Sequence, residues 1–254
     1  MNFTVIIPAR YDSSRLPGKP LMDIAGMTMI QRVYTQAQKS NANQIIVATD
    51  DQRIFDHVVS FGGQAAMTLA DHQSGTDRLQ EVAEKLELPA DHIVVNVQGD
   101  EPLIPPDAIN QVANNLATNS LAGVATLCDP IDIDADLVSS HVVKVVTDNN
   151  GLALYFSRAS IPHRREITDV NAGGASSIFN PMRHIGIYAY RVSMLNQFIC
   201  WPAAPIEKLE FLEQLRFMWY GERIHVGQAT SHVPSGIDTE EDLQHLISLL
   251  KKSS

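Results

Sequence analysis

Apolar runs that alternate with helical segments constrain the fold of this chain more than any other feature of its first half. The runs are rich in Val and Ile and end in polar residues, which is typical of buried strands. Because strands and helices follow each other through short connections, they predict a parallel sheet with helices on both faces. The predicted strands span 3–7, 44–50, 64–67 and 92–97, and the predicted helices span 29–40, 51–61, the residues up to 86, and 106 to about 119.

The second half of the chain follows a different pattern. The stretch 149–151, Asn-Asn-Gly, is typical of a hairpin turn, so the apolar runs on either side of it predict antiparallel strands. Residues 163–182 carry charges and then glycines, which suits a lid as well as a surface loop, and no function is assigned to them. We therefore expect one domain over 1–254, with an inserted antiparallel part at about 150–200. Further strands are predicted at 123–127, 142–146, 152–156, 183–190 and 224–226, helices at 205–220 and 238–250, and a core or interface role for 194–201.

The composition favours a folded protein that binds neither nucleic acid nor membranes. The 254 residues are 44% hydrophobic, and 19 Lys and Arg against 29 Asp and Glu give a formal net charge of −10. Nucleic-acid and anionic-membrane binding need a basic face. No apolar run approaches the ~18 residues of a membrane span, and the first strand starts almost at Met1, so a soluble cytoplasmic protein is expected. Cys128 and Cys200 stand alone in the sequence and are both predicted to be buried.

The loop after the first predicted strand concentrates positive charge in a chain where cations are scarce. Arg10, Arg15 and Lys19 are offset only by Asp12, and Gly18 allows a close approach of the backbone. Ligands bind beyond the carboxyl ends of the strands in open α/β sheets, and cations there suit a polyphosphate. A solvated surface loop is equally compatible with these residues alone.

Several common active-site motifs are missing from the sequence. It contains no G-x-x-x-x-G-K-[ST], no G-x-G-x-x-G, no G-x-S-x-G and no H-E-x-x-H. The sequence therefore lacks the usual markers of four enzyme classes: P-loop NTPases, Rossmann dehydrogenases, α/β-hydrolases and zincin metalloproteases.

The polar residues that remain suit a nucleoside triphosphate with magnesium. Gly75 and Arg78 follow one predicted strand, and Gln98 and Asp100 follow another, where an amide suits a base and a carboxylate suits a metal. The alternative interpretation of Asp100 is a turn former before a proline. An Asp before a helix is usually an N-cap, but a capping box over 239–242 makes Thr239 the predicted cap and leaves the Asp238 carboxylate for the cleft.

Collinear blocks along nearly the whole chain resemble one enzyme family, the 3-deoxy-manno-octulosonate (Kdo) cytidylyltransferases. One block is Val-Asn-Val-Gln-Gly-Asp-Glu-Pro at 95–102, and another is Arg-His-Ile-Gly-Ile-Tyr at 183–188. The resemblance implies a mostly parallel, three-layer nucleotidyltransferase fold, GT-A-like and Rossmann-like, with an inserted antiparallel dimerisation layer. The remaining blocks span 6–21, 70–78, 155–162 and 209–216.

The resemblance also implies an activity and its site residues. The reaction would transfer CMP from CTP to Kdo with release of pyrophosphate, for lipopolysaccharide synthesis, with Mg²⁺ as cofactor and a homodimer as the usual assembly. The catalytic residues would be Arg10, Lys19, Asp100 and Asp238; of these, Arg10 and Lys19 would hold the triphosphate with help from Arg15, and Asp100 and Asp238 would bind the metal. Ala9, Gly75, Arg78 and Gln98 would frame the cytosine and ribose, and Arg158, His184, Tyr188, Glu213 and Gln214 would bind the sugar acid.

The residues themselves leave alternatives to this assignment. Taken alone, Glu213 and Gln214 would be solvated, and core packing would explain Tyr188 better than substrate binding. His184 and Tyr188 are spaced to lie on one face of their strand. Arg158 follows a predicted strand and is of the residue type that suits a carboxylate, but taken alone it would be a surface Arg. A cytidylyltransferase for 8-amino-Kdo or sialic acid would keep the CTP site and change the sugar contacts, and a silent nucleotide-binding module would use the same sheet.

Overall fold

The nine strands that the sequence predicts lie in one sheet. The computed structural model describes residues 1–12, 16–72, 74–131, 134–163 and 181–252. Its strands are β1 (Phe3–Ala9), β2 (Asp23–Ile24), β3 (Met27–Thr28), β4 (Gln44–Thr49), β5 (Ala65–Met67), β6 (Ile93–Asn96), β7 (Val124–Pro130), β8 (Lys144–Thr147), β9 (Ala153–Ser157), β10 (Met182–Arg191) and β11 (Ile224–Gln228). The helices are α1 (Met29–Gln38), α2 (Gln52–Ser60), α3 (Gly75–Lys85), α4 (Pro106–Thr118), α5 (Asp134–Val138), α6 (Val192–Phe198), α7 (Pro205–Glu210), α8 (Leu215–Trp219) and α9 (Glu240–Lys252), with a 3₁₀ turn at Lys19–Leu21.

The strand order confirms the predicted mixture of parallel and antiparallel pairing. In the described residues the main sheet runs β11-β7-β10-β6-β1-β4-β5, and β8 pairs with β10 and β9. β1 is parallel to both β4 and β6, whereas β10 is antiparallel to β6, β7 and β8. The loops after β1 and β6 therefore leave the sheet side by side, because the carboxyl ends of neighbouring parallel strands meet at one edge.

The core lies on both faces of this sheet, as expected for three layers. Val5 and Ile7 of β1 pack into the cluster that takes side chains from α1, α2 and α4. Ile6 points to the opposite face, where α3, α6 and α8 supply the partners. Successive residues of a strand point to opposite faces, so a run that is apolar at every position needs cover on both sides.

The predicted hairpin is also confirmed. β8 and β9 pair antiparallel, with Val145 opposite Phe156. The turn between them is tied by Asp148, whose Oδ1 accepts from the N–H groups of Asn150 and Leu152. Gly151 has a φ of 73°, which a residue without Cβ adopts at little cost.

Two predictions on the second half are wrong. The helix predicted over 205–220 is divided into α7 and α8, because Phe211 adopts a left-handed backbone (φ 53°) that no α-helix continues. The break turns Leu212 and Gln214 inwards, to 6% and 8% exposure. Cys128 is buried as predicted, but Cys200 is exposed.

Two further points concern the described part of the chain. Of the predicted loop 163–182, the residues 164–180 lie outside the described residues. None of the described helices has the length and apolar character that crossing a membrane requires.

Candidate active site

A lysine and two carboxylates form a cluster beyond the end of β1. Lys19 starts the 3₁₀ turn after Gly18, whose left-handed backbone (φ 71°) brings its N–H to the carbonyl of Tyr11. The ammonium of Lys19 lies 2.8 Å from Asp100 Oδ2 and 3.5 Å from Asp238 Oδ1. The structure thus brings together three residues that the sequence analysis assigned to the triphosphate and its metal.

The two carboxylates reach this place by separate routes. Asp100 follows β6, and its carbonyl accepts a 2.9 Å hydrogen bond from the N–H of Ile237. Thr239 caps α9, since its hydroxyl accepts from the N–H of Asp242 while Asp242 Oδ2 accepts from the N–H of Thr239. The capping box predicted at 239–242 is confirmed, and Asp238 directs its carboxylate towards Lys19 instead.

This arrangement fits a divalent cation that is shared with a nucleotide. Asp100 and Asp238 already lie around one positive charge, the Lys19 ammonium, which marks a place that a cation can occupy. No group of three or more His, Cys, Asp or Glu is placed to hold a metal within the described ranges. Mg²⁺ commonly takes one or two carboxylates and completes its shell with phosphate oxygens and water, so two carboxylates are enough.

The ends of β1 and β6 and the start of α3 lie against one another. A Cβ added to Gly99 would meet the carbonyl oxygen of Pro8 at 2.7 Å. The ends of β1 and β6 therefore approach more closely than a residue with a Cβ at position 99 would allow. Gly75 begins α3, where a Cβ would lie 3.6 Å from the Pro8 ring. Ala9 is buried at the end of β1. Ala9 and Gly75, both predicted to frame the nucleotide, therefore border one crevice.

Arg78 has a different environment from the one predicted. Its side chain is fully buried, and its guanidinium donates to Asp50 Oδ2 at 3.0 Å and to the hydroxyl of Thr68. These bonds brace the ends of β4 and β5 under the crevice. The predicted contact of Arg78 with the nucleotide stays a prediction.

A cavity of about 290 Å³ opens beside the crevice. It takes one wall from β10, one from the turn between α7 and α8, and one from the end of β6. Alternate residues of β10 face it, because the side chains of one strand face point the same way. Five of the residues predicted to bind the substrates line it together: Gln98, His184, Tyr188, Glu213 and Gln214.

Buried polar atoms without a partner concentrate in this cavity. Among the described residues, four atoms of its lining lack a hydrogen-bond partner: Asn96 Oδ1, the Tyr188 hydroxyl, Glu213 Oε1 and Gln214 Nε2. Leaving such an atom unpaired costs roughly 1–3 kcal/mol, so native proteins rarely keep several in one place without use. Two of the four accept, one donates and one does either, which matches the hydroxyl groups of a sugar.

Burial shifts the pKa of two groups in the cavity. It lowers the pKa of His184 to about 3, so the imidazole is neutral at physiological pH. Burial raises the pKa of Glu213, against the opposing hydrogen bonds of Ser74 and Thr76. The Thr76 hydroxyl donates to Glu213 Oε2 at 2.9 Å and so connects the cavity with the first turn of α3.

A third carboxyl, that of Glu101, follows Asp100 directly in the chain. Burial and then the charge of Asp100 raise the pKa of Glu101 to about 8, and the charge of Arg183 opposes this rise. Glu101 Oε2 is buried without a partner among the described residues. The sequence analysis assigned no role to this residue.

The remaining three predicted site residues are Arg10, Arg15 and Arg158. Arg10 is exposed after β1, and Arg15 lies outside the described residues. Arg158 follows β9, where its Nε donates to the carbonyl of Glu210 and its Nη1 to the carbonyl of Ser140. Its predicted pairing with a sugar carboxylate remains untested.

Two cavity residues were missed in the sequence. Asn96 lies opposite Tyr188 in the β6–β10 pairing and is 4% exposed. A lone Asn inside the apolar run 93–97 is a usable signal, because a strand buried on both faces has no other reason to hold an amide. Tyr190 continues the aromatic face, stacked on Tyr188 at 5.7 Å, and nothing in its local sequence separates it from core.

Comparison with known proteins shows to which family this chain belongs. A family model described as cytidylyltransferase matches residues 4–224. The 3-deoxy-manno-octulosonate cytidylyltransferases of Hahella chejuensis and Aliivibrio fischeri strain MJ11 are 55% and 56% identical, over 99% of this chain and 99% and 100% of their own lengths.

Solved structures give the same result. A CMP:2-keto-3-deoxy-manno-octonic acid synthetase complexed with CTP superposes over 100% of both chains, with a TM-score of 0.90 and 40% identity. A cytidylyltransferase from Leptospira borgpetersenii has a TM-score of 0.58 at 15% identity, covering 99% of this chain and 94% of its own, and so shares the fold. With a mostly parallel sheet as predicted, a lysine between two carboxylates and a polar cavity beside them, the chain belongs to the family of 3-deoxy-manno-octulosonate cytidylyltransferases.

Proposed function

We propose that the protein transfers CMP from CTP to Kdo and releases pyrophosphate, supplying the activated sugar for lipopolysaccharide synthesis. The observation that carries the proposal is the position of the polar cavity. It lies beside the Lys19–Asp100–Asp238 cluster, and Gln98 and Asp100 stand two residues apart on the loop that joins them. A hydroxyl-rich acid in the cavity would present its anomeric hydroxyl to a triphosphate held at the cluster.

The reaction would be an in-line displacement at the α-phosphorus. The anomeric oxygen of Kdo forms the new bond to phosphorus, the α–β phosphoanhydride bond breaks, and the hydroxyl proton is lost to solvent. Lys19 and Arg10 would neutralise the departing pyrophosphate. Orientation and charge neutralisation can each supply several kcal/mol of the rate acceleration, so this scheme requires no covalent intermediate.

Asp100 and Asp238 would hold Mg²⁺ when nucleotide is bound. The ion supplies charge neutralisation at the phosphate oxygens and lowers the pKa of a bound hydroxyl. In this state Lys19 would exchange its carboxylate partners for phosphate oxygens, which its flexible stem allows.

An exposed apolar surface supports the proposed homodimer. Leu209 in α7 is 80% exposed, Phe211 directly after α7 is 83% exposed, and Trp219 at the end of α8 is 52% exposed. Exposed apolar side chains that cluster commonly mark protein–protein contacts. Phe211→Ser should therefore shift the protein towards monomers in light-scattering chromatography, whereas an unchanged mass would refute the role of this surface in a dimer.

The main sheet takes strands from both halves of the chain, which supports treating 1–254 as one domain.

Pyrophosphate release with CTP, Mg²⁺ and a panel of sugar acids tests the activity. Release with Kdo in preference to 8-amino-Kdo and sialic acid is expected. Preference for another acid would transfer the proposal to that substrate, and release with none would indicate a nucleotide-binding module.

Asp100→Asn tests the metal assignment separately. The variant should need far more Mg²⁺ for half-maximal velocity, because one of two carboxylates is lost. Normal turnover at limiting Mg²⁺ would refute the role of Asp100.

A further inference from the structure

Arg183 ties the start of β10 to the segment that leads to Asp238. Its Nη2 donates to Asp129 Oδ2 at 3.0 Å and to the carbonyl of Val233 at 3.1 Å, and its Nη1 donates to the hydroxyl of Ser235 at 3.3 Å. The Arg183 and Asp129 side chains are 24% and 15% exposed. An ion pair at this depth is screened less than a surface pair, so it holds its geometry more firmly.

The segment held in this way has no regular structure of its own. Residues 229–239 connect β11 to α9 without helix or strand, so side chains and isolated main-chain bonds decide their path. Two features bring the end of the segment to Asp100. The N–H of Ile237 bonds to the Asp100 carbonyl at 2.9 Å, and a Cβ added to Gly236 would lie 3.4 Å from Asp100 Oδ1.

We propose that Arg183 is a positioning residue that sets the distance between the Asp238 and Asp100 carboxylates. The inference rests on the proposed function, since it gives these carboxylates a metal to share. Arg183 acts through its hydrogen bonds to Val233 and Ser235, which precede Asp238 in the same segment. Ligands of metals depend on such outer contacts, whose loss commonly reduces metal affinity about 10–100-fold.

The geometry requires arginine rather than another cation. One guanidinium serves a carboxylate, a carbonyl and a hydroxyl, which lie in different directions around its plane. Lysine offers a single ammonium on a flexible stem and does not reproduce this fork. Asp129 keeps the guanidinium in place, because it is the only one of the three partners that carries a formal charge.

Metal affinity in the Arg183→Met and Arg183→Lys variants tests the proposal. Arg191→Lys is the matched control, because Arg191 ends the same strand and donates to the carbonyl of Leu116, far from Asp238. The first measurement is the Mg²⁺ concentration for half-maximal velocity, beside the KM for the sugar acid. The second is Mn²⁺ binding, followed by electron paramagnetic resonance in the presence of a non-hydrolysable CTP analogue, which needs no turnover.

We expect Arg183→Met to weaken Mn²⁺ binding about ten-fold and to raise the Mg²⁺ requirement equally, with the KM for the sugar acid changed less than about two-fold. The Mn²⁺ affinity of Arg183→Lys should lie between that of the parent and that of Arg183→Met. The Mn²⁺ affinity of Arg191→Lys should equal that of the parent. Unchanged Mn²⁺ binding in folded Arg183→Met would overturn the proposal. An equal rise of the Mn²⁺ dissociation constant, the Mg²⁺ requirement and the KM for the sugar acid would also overturn it.

Two arrangements keep the test decisive. If Arg183→Met does not fold, Ser235→Ala removes one of the contacts and should weaken Mn²⁺ binding in the same direction by about two- to three-fold; no change would overturn the proposal. If the parent protein releases no pyrophosphate with any sugar acid, the proposed function fails, but the Mn²⁺ measurement still decides the role of Arg183.

Discussion

The buried ammonium of Lys144 provides a sharp test of how the cavity is supported. Lys144 is 0% exposed at the start of β8, and its Nζ donates to the carbonyls of Ser139, Val142 and Arg158 at 2.7, 2.6 and 2.6 Å. Its neighbour Val143 lines the cavity and accepts a bond from the N–H of His184. One lysine thus joins the turn before β8 to the residue that follows β9.

Lys144→Met removes the charge and keeps most of the side-chain volume. The change leaves three carbonyls without their donor, at roughly 1–3 kcal/mol each where water does not reach them. It also removes the cost of burying an ammonium, and the turn at 139–142 is partly open to water. The net loss in the free energy of unfolding should therefore be about 2–4 kcal/mol.

Urea unfolding at pH 7 measures this loss, and steady-state kinetics measures its consequence. The KM for the sugar acid should rise several-fold, because Val143 and Arg158 lose their support, while the KM for CTP stays close to its parent value. Lys39→Met is the control: Lys39 is exposed and contacts Gln36, so its change should stay within about 0.5 kcal/mol. A loss below about 1 kcal/mol for Lys144→Met, with an unchanged KM for the sugar acid, would refute this reasoning.

Two other substitutions test the cavity and the crevice. Because burial raises the pKa of Glu213, the folded state binds the proton more tightly than the unfolded state, and its stability falls as the pH rises above the ordinary value of 4.5. Glu213→Gln removes this loss, so its free energy of unfolding should gain on the parent as the pH rises above 4.5, while sugar affinity falls; parallel pH profiles would contradict the assignment. Gly99→Ala places a Cβ 2.7 Å from the Pro8 carbonyl oxygen, so it should destabilise the fold by about 1–3 kcal/mol and lower kcat, and parent-like melting and turnover would show that the strand ends can separate freely.

Local patterns predicted most of the sheet and its helices. The apolar run at 3–7 is a buried strand because it is flanked by helices on both faces, and its residues alternate between the two core clusters. Thr239 was identifiable as a cap because its partner Asp242 lies three residues away. Information of this range is present in the sequence, since a turn or a cap is decided by neighbours along the chain.

The candidate site was predicted only in part by the residues alone. The three cations of the opening loop were compatible with a solvated surface, and Glu213 and Gln214 with an exposed helix. The family resemblance supplied their roles, but not the break at Phe211 that turns Gln214 inwards. Asn96, Lys144 and Arg183 were given no role, because each depends on partners that the local pattern does not contain.

The sequence by itself determined the order of strands and helices, the cap of the last helix, and the residue types available for phosphate, metal and sugar. Tertiary structure decided which of them meet. Lys19 and Asp100 are 81 residues apart in the chain and Thr76 and Glu213 are 137 apart, yet each pair is within hydrogen-bonding distance. Periodicity records which face of an element is apolar, but the charge and burial of a polar group depend on the groups that the fold brings beside it.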